Sequence, residues 1–304
     1  MKILVSTKNM PRDEWLAWRR KGIGASDAPI LFGVDPFHSE MHLFLDKLNL
    51  LPEDEQSEAA YWGQQLEPVI AKEFAAKTGF RIRRKWAILQ HSEYPFVLAN
   101  LDYVVLDGND GRAVLECKST SEYRKADWDD RIPDRVMIQI QHQMAVTGAD
   151  RAYVAALIGG NKFWFTREPI ARDDEVIANI LKREAGFWEL VESKTPPLAD
   201  GSDACSDLLA SLYNDPSDNT IPLGPKALDL VVARQEAKER LGTAEIDVRL
   251  AENRLKQMLR YNEVGVIGEW RVAWKAVTQQ RNGKEITFRR FTITAKGGDD
   301  EWTT

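Results

Sequence analysis

The sequence predicts an α/β protein in which a mixed β-sheet is flanked by helices, with a C-terminal appendage made of a helix and a β-hairpin. Between residues 58 and 193 the patterns run helix, hairpin, helix, hairpin, helix, an order typical of layered α/β folds. At residues 195–225 the composition changes to Pro, Asp, Ser, Gly and Asn, which indicates a linker. A chain of 304 residues can hold a full core and an appendage. We therefore expect a domain at 1–195, a linker at 196–224 and a helical and β-hairpin segment at 225–304.

Two short helices are predicted near the N-terminus, at residues 11–21 and 28–32, with a glycine-rich segment between them. Arg19 and Arg20 close the first helix, and Ser26 stands just before the second. Because the start of a helix offers free N–H groups and the positive end of its dipole, these side chains could form a phosphate pocket. A capped turn with exposed arginines predicts the same pattern, so both interpretations stay open.

A longer helix is predicted over residues 58–78, ending at Gly79, with a bend or restart at Pro68. Glu67 lies on the apolar face of this helix, since it is spaced by one or two helical turns from Ile70 and Phe74. Buried carboxylates are rarely left unpaired. Glu67 is therefore either a third acid of a metal site or the partner of an arginine that is distant in the sequence.

Residues 96–118 contain two apolar, β-branched runs joined by the turn sequence DGNDG, and they predict a β-hairpin. If the turn is centred on its asparagine, Asn109, the numbers of antiparallel partners sum to 218, so that Asp102 falls opposite Glu116. Strand side chains alternate between the two faces of a sheet. Glu116 and Lys118 should therefore share one face.

Two acids and a lysine thus converge on one patch of the predicted hairpin. Directly opposed carboxylates such as Asp102 and Glu116 repel each other and weaken an ordinary hairpin, which favours a compensating cation. Oxygen ligands of this kind suit Mg²⁺, which takes one or two carboxylates together with water and phosphate oxygens. A solvated polar face with a pair between Glu116 and Lys118 gives the same pattern and is equally compatible with the sequence.

The remaining part of the predicted domain contains a helix, a second hairpin and a final amphipathic helix. The helix at 133–147 has an apolar stripe and places Gln139 and Gln143 one turn apart. Two strands, at 151–158 and 162–167, surround a Gly-Gly-Asn turn, and an amphipathic helix is predicted at 173–193. The pattern completes the alternation that indicates a mixed sheet between helices.

The C-terminal segment begins with one long helix pattern at 226–261, in which Gly242 is a candidate break into two helices. Strands at 266–277 and 286–293 flank an Asn-Gly sequence, which predicts a β-hairpin. Basic residues alternate with aromatic residues in the first of these strands. That alternation is found in single-strand binding surfaces and also in small half-buried sheets, and we favour the sheet.

The composition excludes several classes of protein. The formal net charge of −6 means that a nucleic-acid partner requires a local basic surface. The N-terminus has no signal-peptide pattern, and no apolar run approaches the length of a membrane span. Two cysteines and four scattered histidines cannot build a disulfide framework or a zinc finger. We expect a cytoplasmic protein without a membrane partner, zinc or an iron–sulfur cluster.

Several pieces of the sequence, taken together, resemble a known family. Asp102, a gap of 13 residues and then Glu116-Cys117-Lys118 resemble the PD-(D/E)-x-K nuclease core. Three further pieces flank this hairpin in the family's order: WLAWRRKGIGASDA at 15–28, GQQLEP at 63–68 and QIQHQMAVTG at 139–148. As a set, over residues 11–193, they are similar to the YqaJ-type viral recombinase family, relatives of the phage lambda exonuclease.

The resemblance implies a restriction-endonuclease-like mixed sheet and a metal site. Asp102 and Glu116 match the metal ligands of the family, helped by the backbone carbonyl of Cys117. Glu67 matches the helix acid that completes the site. The implied cofactor is a pair of Mg²⁺ ions, for which Mn²⁺ is expected to substitute.

The resemblance also implies residues that act on water and on the DNA end. Lys118 matches the residue that positions and activates water, and Gln139 matches its orienting neighbour. Arg19 and Ser26 match the pocket for the 5′-terminal phosphate, with Arg20 as the alternative arginine because the spacing is uncertain by one residue. This chain departs from the family at residues 100–101, where Asn-Leu stands in place of the usual Ser-Pro. The asparagine puts one phosphate or backbone contact in question.

The activity implied by the resemblance is 5′-to-3′ exonucleolytic hydrolysis of linear double-stranded DNA, which leaves 3′ single-stranded tails for phage-type homologous recombination. The implied partners are double-stranded DNA ends, a single-strand annealing protein and further copies of the chain in a ring-shaped homo-oligomer, with a trimer favoured. A bacterial host cell and a phage or prophage origin are expected. Two alternatives stay open: a structure-specific or nicking endonuclease of the same fold, and a non-catalytic DNA-binding recombination scaffold.

Overall fold

The structure is a computed structural model that describes residues 1–51, 57–106, 112–129, 131–281 and 284–295. The chain divides into two units, Met1–Pro216 and Ser217–Thr304. All the residues with an expected role in the site lie in the first unit.

The helices and strands of the described residues extend over both units. The helices are α1 Arg12–Arg19, α2 Ala28–Leu31, α3 Glu40–Lys47, α4 Glu58–Thr78, α5 Asp134–Thr147, α6 Asp174–Ser193, α7 Asp203–Leu212 and α8 Lys226–Leu259, with a 3₁₀ helix at Glu122–Trp128. The strands are β1 Lys2–Ser6, β2 Arg81–Arg84, β3 Ala87–Gln90, β4 Leu98–Asn100, β5 Tyr103–Leu106, β6 Arg112–Thr120, β7 Arg151–Ile158, β8 Lys162–Phe165, β9 Ile170–Ala171, β10 Val264–Ile267, β11 Trp270–Arg281 and β12 Lys284–Ala295.

The first unit is built on a sheet with the strand order β2-β5-β6-β7-β8, and β9 pairs with β7. Strands β6 and β7 are parallel while the other pairs are antiparallel, so the predicted mixed sheet is confirmed. Helix α5 covers one face, where Ile140 joins Val114 in the core. Helix α4 covers the other face, where Phe74 joins Leu115. A smaller sheet has the order β1-β3-β4.

The hairpin of β5 and β6 has the predicted register. Tyr103 pairs with Leu115 and Val104 with Val114, so the partner numbers sum to 218. The predicted first run is divided, however, because β4 pairs with β3 in the small sheet while β5 pairs with β6 in the large one. The chain leaves one sheet for the other at Leu101 and Asp102, which places Asp102 at a strand end. The turn predicted at 107–111 lies outside the described residues.

Two predicted helices end as their sequences indicate. Helix α4 starts at Ser57, whose side chain accepts the N–H of Ala60, runs through Pro68 without a restart and ends at Gly79. Helix α5 ends at Gly148. Both glycines have a positive φ, of 73° and 70°, a conformation that favours glycine at a helix end. Each helix therefore ends where its sequence places a glycine.

The structure corrects three expectations for the C-terminal third. The linker expected at 196–224 contains helix α7, because Cys205 and Leu208 are apolar enough to be buried. Gly242 does not break α8, which continues through it since a single glycine costs only about 1 kcal/mol. The strand expected at 266–277 is divided into β10 and β11 by a turn that contains Gly268 at a φ of 54°.

The second unit contains α8 and a sheet with the order β10-β11-β12. Along β11, Val272 and Ala273 are buried whereas Trp270 is 53% exposed, although Trp270 and Val272 lie on the same face of the strand. Arg281 pairs with Lys284, and the Asn-Gly pair of the predicted turn between them lies outside the described residues. In neither unit do the described residues include a helix that is long and apolar enough to cross a bilayer.

Candidate active site

Glu116 is the centre of a hydrogen-bonded cluster between β6 and α5. Glu116 is buried, with 3% of its surface exposed to solvent. Gln139 donates from Nε2 to Oε1 of Glu116 at 2.6 Å, and Gln143 donates from Nε2 to Oε2 at 2.7 Å. Because the two glutamines stand one turn apart on the face of α5 that meets the sheet, each satisfies one oxygen of the same carboxylate. The cluster therefore holds Glu116 in one orientation.

Lys118 shares the face of Glu116, as the strand alternation predicts. Its Nζ lies 2.7 Å from Oε1 of Glu116 and donates to Oε1 of Gln139 at 2.6 Å. An ammonium group has three donors, so one N–H remains for a water or a phosphate oxygen. The side chain of Lys118 is 26% exposed, which leaves it accessible to a substrate.

Asp102 faces this cluster from the end of β4. Its Oδ2 accepts the backbone N–H of Cys117 at 2.8 Å. Because the N–H and C=O groups of a strand residue point to the same side, the carbonyl of Cys117 is directed toward Asp102 as well. The pKa of Asp102 is raised well above its usual value by burial, and then by the negative charges of Glu116 and Glu67.

Glu67 is paired with an arginine that lies 17 residues further along the chain. Oε1 of Glu67 is 3.0 Å from Nη2 of Arg84 on β2. The pKa of Glu67 is nevertheless raised by burial, against the charge of Arg84, and the charge of Glu116 raises it further. Glu67 is thus paired with an arginine that is distant in the sequence, which is one of the two expected roles. Its charge also lies close enough to raise the pKa of Asp102.

The donor set of this site fits a hard divalent cation. Within the described residues, no group of three or more His, Cys, Asp or Glu side chains is arranged to hold a metal by itself. Mg²⁺ does not require one, because it is commonly bound by one or two carboxylates with water and substrate oxygens. Burial is the larger cause of the raised pKa of Asp102, and the negative charges of Glu116 and Glu67, which a cation would neutralise, add to it. Asp102, Glu116 and the carbonyl of Cys117 are the oxygen donors that fit.

Arg19 lies in a separate cluster near the start of α2. Its Nη2 donates to Oγ of Ser26 at 2.9 Å and is 2.5 Å from Oδ1 of Asp27. Nζ of Lys47, which is buried, lies 2.6 Å from the other oxygen of Asp27. Although burial raises the pKa of Asp27, the charges of Arg19 and Lys47 hold it well below its usual range. The cluster brings Arg19 and Ser26 together as expected, with a carboxylate between two cations.

Two other features of this region differ from the expectation. The N–H groups of Asp27 and Ala28 already donate to the carbonyl of Gly24, so the start of α2 does not offer them to a phosphate. Arg20 is directed elsewhere, with Nε 3.5 Å from Oδ1 of Asp46. Of the two candidate arginines, only Arg19 is joined to Ser26.

Sequence reasoning missed two residues that shape the site. Gln143 was noted for its spacing from Gln139 but was given no role, although it binds the same carboxylate. His142 is fully buried, with Nδ1 2.6 Å from Oε1 of Glu184 on α6 and Nε2 2.7 Å from the carbonyl oxygen of Leu98 on β4. It therefore fixes α5, and with it both glutamines, against α6 and the small sheet. The partner could not be inferred from the sequence of α5 because Glu184 lies 42 residues further along the chain.

Comparison with known proteins identifies the family. The sequence profile of the YqaJ-like viral recombinase domain matches residues 14–150. A Bacillus subtilis (strain 168) relative, the uncharacterized protein YqaJ, is 40% identical over 319 residues, which covers 96% of this chain and 97% of the relative. The chain belongs to the YqaJ-like viral recombinase family. The matched residues of the family domain include every site residue from Arg19 to Gln143.

Solved structures of two other proteins have a partial likeness to this family member. One is LHK-Exo, an alkaline exonuclease from Laribacter hongkongensis, which is 18% identical to this chain with a TM-score of 0.46. The structure of LHK-Exo in complex with dAMP is 19% identical with a TM-score of 0.47. Each of these two matches covers 66% of this chain and 98% of LHK-Exo. A phage related exonuclease from Haemophilus somnus 129PT is 12% identical with a TM-score of 0.45, covering 57% of this chain and 94% of the other.

Proposed function

We propose that this protein is a Mg²⁺-dependent deoxyribonuclease that digests linear double-stranded DNA from 5′ to 3′ and leaves 3′ single-stranded tails for recombination. The observation that carries the proposal is the cluster of Asp102, Glu116 and Lys118, in which two acids and a lysine meet at the central strand of the large sheet. Membership of a viral recombinase family supports a recombination role. The polarity rests on the sequence resemblance described above.

The residues of the cluster can orient a water for phosphodiester hydrolysis and stabilise the negative charge that develops. An attacking water must be oriented and must lose a proton, and the departing oxygen must be stabilised. Lys118 has one uncommitted N–H, and its ammonium is held in place by Gln139 and Glu116, so it can orient a water and stabilise negative charge on phosphate. Gln139 fixes the separation of Lys118 and Glu116 by contacting both.

The acids of the cluster would hold the cofactor. Asp102, Glu116 and the carbonyl of Cys117 would bind Mg²⁺, and Glu67 would complete the site after release from Arg84. Two such ions supply positive charge that neutralises the phosphate and lowers the pKa of water, and Mn²⁺ is expected to replace them. Gln143 holds Glu116 from the buried side, so the carboxylate is oriented before any ligand arrives.

Arg19 and Ser26 would bind the 5′-terminal phosphate. The side chain of Arg19 is 26% exposed and keeps further guanidinium N–H groups beyond the one used for Ser26 and Asp27. A phosphate held there would set which end of the duplex is digested. The partners that we propose are double-stranded DNA ends, a single-strand annealing protein and further copies of the chain in a ring, with a trimer favoured. The setting is the cytoplasm of a bacterial cell that carries a phage or prophage.

A second candidate function is an endonuclease of the same fold. It is favoured by Asp27, which already neutralises Arg19 and competes with a terminal phosphate for it. If Arg19 stays paired with Asp27 and does not bind a terminal phosphate, the enzyme does not require a DNA end and would nick closed circular DNA.

The experiment compares linear and closed circular duplex DNA, with Mg²⁺ or with EDTA. We expect the protein to digest linear DNA and not closed circular DNA, and to do so with Mg²⁺ and not with EDTA. Nucleotides should be released from the 5′ end of each strand. Asp102→Asn and Glu116→Gln should abolish hydrolysis and keep DNA binding, because they remove negative charge that repels phosphate. Glu73→Gln is the matched control, since Glu73 is paired with Lys77 on α4 away from the cluster.

The outcomes separate the candidates. Nicking of closed circles would favour the endonuclease. DNA binding without hydrolysis under any metal condition would favour a non-catalytic scaffold. If Asp102→Asn or Glu116→Gln keeps more than a few per cent of the turnover of the unmodified protein, that acid is not part of the active site.

A further inference from the structure

Helix α8 carries one stripe with heptad spacing along its length. Its residues follow each other at alternating intervals of four and three: Leu230, Arg234, Ala237, Leu241, Ala244, Val248, Ala251 and Leu255. From Ala237 onward, alanine alternates with leucine or valine. Leu241 is 61% exposed and Val248 is 59% exposed, whereas Leu259 at the end of the helix is buried. From Leu230 to Ala251 the stripe is therefore exposed, and its own unit covers only the end at Leu255, which is half-buried.

Charged residues flank this stripe in two blocks of opposite sign. Lys238 and Arg240 lie before the middle of α8, and Glu245 and Asp247 lie after it. The ion pair formed within α8 in the described part of the chain joins Lys256 to Glu252. The four flanking residues form no ion pair in that part, so their charges are available to another molecule.

We propose that α8 pairs with α8 of a second copy of this chain, antiparallel and over its full length. In that arrangement the numbers of facing residues sum to 485, the sum of the first and last residues, 226 and 259. Leu241 then faces the partner's Ala244, and Val248 faces the partner's Ala237. Each large side chain of the central turns meets an alanine, which lets the two helices pack closely. Arg234 faces the partner's Ala251, where its long side chain has room to reach solvent.

The same arrangement pairs each of these four central charges with its opposite. In antiparallel helix pairs, residues on the same side of the two stripes meet each other. Lys238 meets the partner's Glu245, and Arg240 meets the partner's Asp247. Because the contact has two-fold symmetry, each pair occurs twice, and four opposite-charge pairs surround the central turns. The charge complementarity identifies the occupant of this face as a second copy of the same helix.

Other arrangements of the two helices bring like charges together. A slip of one heptad in one direction places Arg240 beside the partner's Arg254 and Asp247 beside the partner's Asp247. A slip in the other direction places Lys238 beside the partner's Lys238. Parallel pairing puts Arg234 against the partner's Arg234 inside the stripe and stacks alanine on alanine. The sequence of α8 therefore selects the full-length antiparallel register.

This pairing adds an assembly contact that is independent of the nuclease site. A helix of 34 residues is about 51 Å long, so the two copies of Lys226 lie at opposite ends of the pair. An isologous contact joins chains in twos. If the first units also form the proposed ring of three, the α8 contact links two rings.

The charges are tested by sedimentation of the full-length protein. Lys238→Glu with Arg240→Asp turns all four pairs repulsive, and we expect the dimerisation through α8 to weaken about tenfold or more. Adding Glu245→Lys and Asp247→Arg to the same chain should restore the association. As a matched comparison, Arg240→Asp alone should weaken it, and Arg249→Asp, the same change of charge on the outer face, should not.

The register is tested by cysteine cross-linking in the full-length protein, with the parent and its two cysteines as background. Ala237→Cys with Val248→Cys should give a covalent dimer on oxidation. The two positions are 11 residues apart on one helix, about 16 Å, so they cannot form a disulfide within one chain. Ala237→Cys alone should not cross-link, because it faces the partner's Val248. Ile246→Cys, on the opposite face, should not cross-link either.

Three results would contradict the proposal. A cross-link from Ala237→Cys alone would show a parallel pair. Failure of the four-residue exchange to restore association would show that the charges do not meet as described. A protein that stays monomeric and uncross-linked would show that α8 is covered by its own first unit or by a different protein. Nuclease activity is measured on the same variants and is expected to be unchanged. An error in the proposed nuclease site can therefore be distinguished from an error in the proposed α8 contact.

Discussion

Gln143 on α5 donates its side-chain amide to Oε2 of Glu116 on β6 at 2.7 Å, and the same nitrogen lies 3.4 Å from the carbonyl oxygen of Asn100. Both neighbours are acceptors, which fixes the orientation of the amide. The contact joins the helix, the large sheet and the end of β4 at one buried point. It also involves the backbone carbonyl of Asn100, which does not depend on the side chain at this position.

Replacement of Gln143 by methionine should therefore impair catalysis. Gln143→Met leaves one oxygen of Glu116 without a donor, at a cost of about 1–3 kcal/mol in the free energy of unfolding. Gln141→Met is the matched control, because Gln141 makes buried backbone contacts on the other side of α5, at Ala171 and Asp173. We expect both variants to lose stability in denaturant unfolding and only Gln143→Met to lose nuclease activity. Equal activities would show that Gln143 serves stability alone.

Lys118→Ala should lower the rate of hydrolysis by about 10²–10⁴, the usual contribution of a positioned proton-transfer group. Mg²⁺ binding, measured by calorimetry, should survive because Asp102 and Glu116 remain. Lys77→Ala, which removes an exposed lysine from α4, is the control. If Lys118→Ala loses Mg²⁺ affinity and recovers its rate at high Mg²⁺, the lysine only positions Glu116.

Duplexes with a 5′-phosphate should be digested faster than duplexes with a 5′-hydroxyl. Arg19→Ala should erase this preference, whereas Arg20→Ala should keep it, since only Arg19 contacts Ser26. The readout is the ratio of initial rates on the two ends, which does not depend on the amount of active protein. A preference that vanishes in Arg20→Ala and persists in Arg19→Ala would exchange the two roles. Equal rates on both ends in the unmodified protein would support the endonuclease.

The buried pair of His142 and Glu184 should make stability depend on pH. Both ring nitrogens of His142 lie beside acceptors, so the ring satisfies both only as the imidazolium. Burial lowers the pKa of His142, but the charge and hydrogen bond of Glu184 and the carbonyl of Leu98 raise it above its ordinary value. The stabilisation is complete below the unfolded pKa of about 6.5 and is lost as the pH rises through the folded pKa.

We therefore expect the Tm to fall as the pH is raised from about 6.5. Glu184→Gln should lower the unfolding free energy by about 3–5 kcal/mol at pH 6 and remove most of this dependence. His38→Asn is the comparison: the hydrogen bond to Asp35 also raises the pKa of His38, but this pair is half-exposed and screened by solvent, so its loss should remove a smaller part of the dependence. A Tm that stays constant over this range, or a dependence that persists in Glu184→Gln, would mean that His142 is neutral in the folded protein.

A chain that ends at Pro216 should retain nuclease activity, since it contains the whole first unit. The sequence analysis placed the domain end near residue 195, but α7 buries Cys205 and Leu208 beyond that point. We expect a chain that ends at Ser193 to have a lower Tm than the one that ends at Pro216. An inactive or insoluble chain ending at Pro216 would show that α8 and its sheet belong to the nuclease fold.

The relationship of Asp102, Glu116 and Lys118 could be predicted from the sequence because it depends on local rules. The alternation of strand side chains places Glu116 and Lys118 on one face, and the turn sequence sets the register that brings Asp102 opposite Glu116. The same rules predicted α4 and α5 together with their terminal glycines. They failed at Leu101, where the chain passes between two sheets, because an apolar run contains no mark of which sheet each half will join.

The sequence by itself determined the faces of the elements, the register of the hairpin and, through its motifs, the family. Only the tertiary structure decided which faces meet. Glu67 pairs with Arg84, Glu116 is held by Gln139 and Gln143, and the cation of Arg19 is balanced by Asp27, which Lys47 also contacts. The physical reason is that the spacing of residues along one element sets the direction of a side chain, whereas its partner comes from another element, whose position depends on the packing of the whole core.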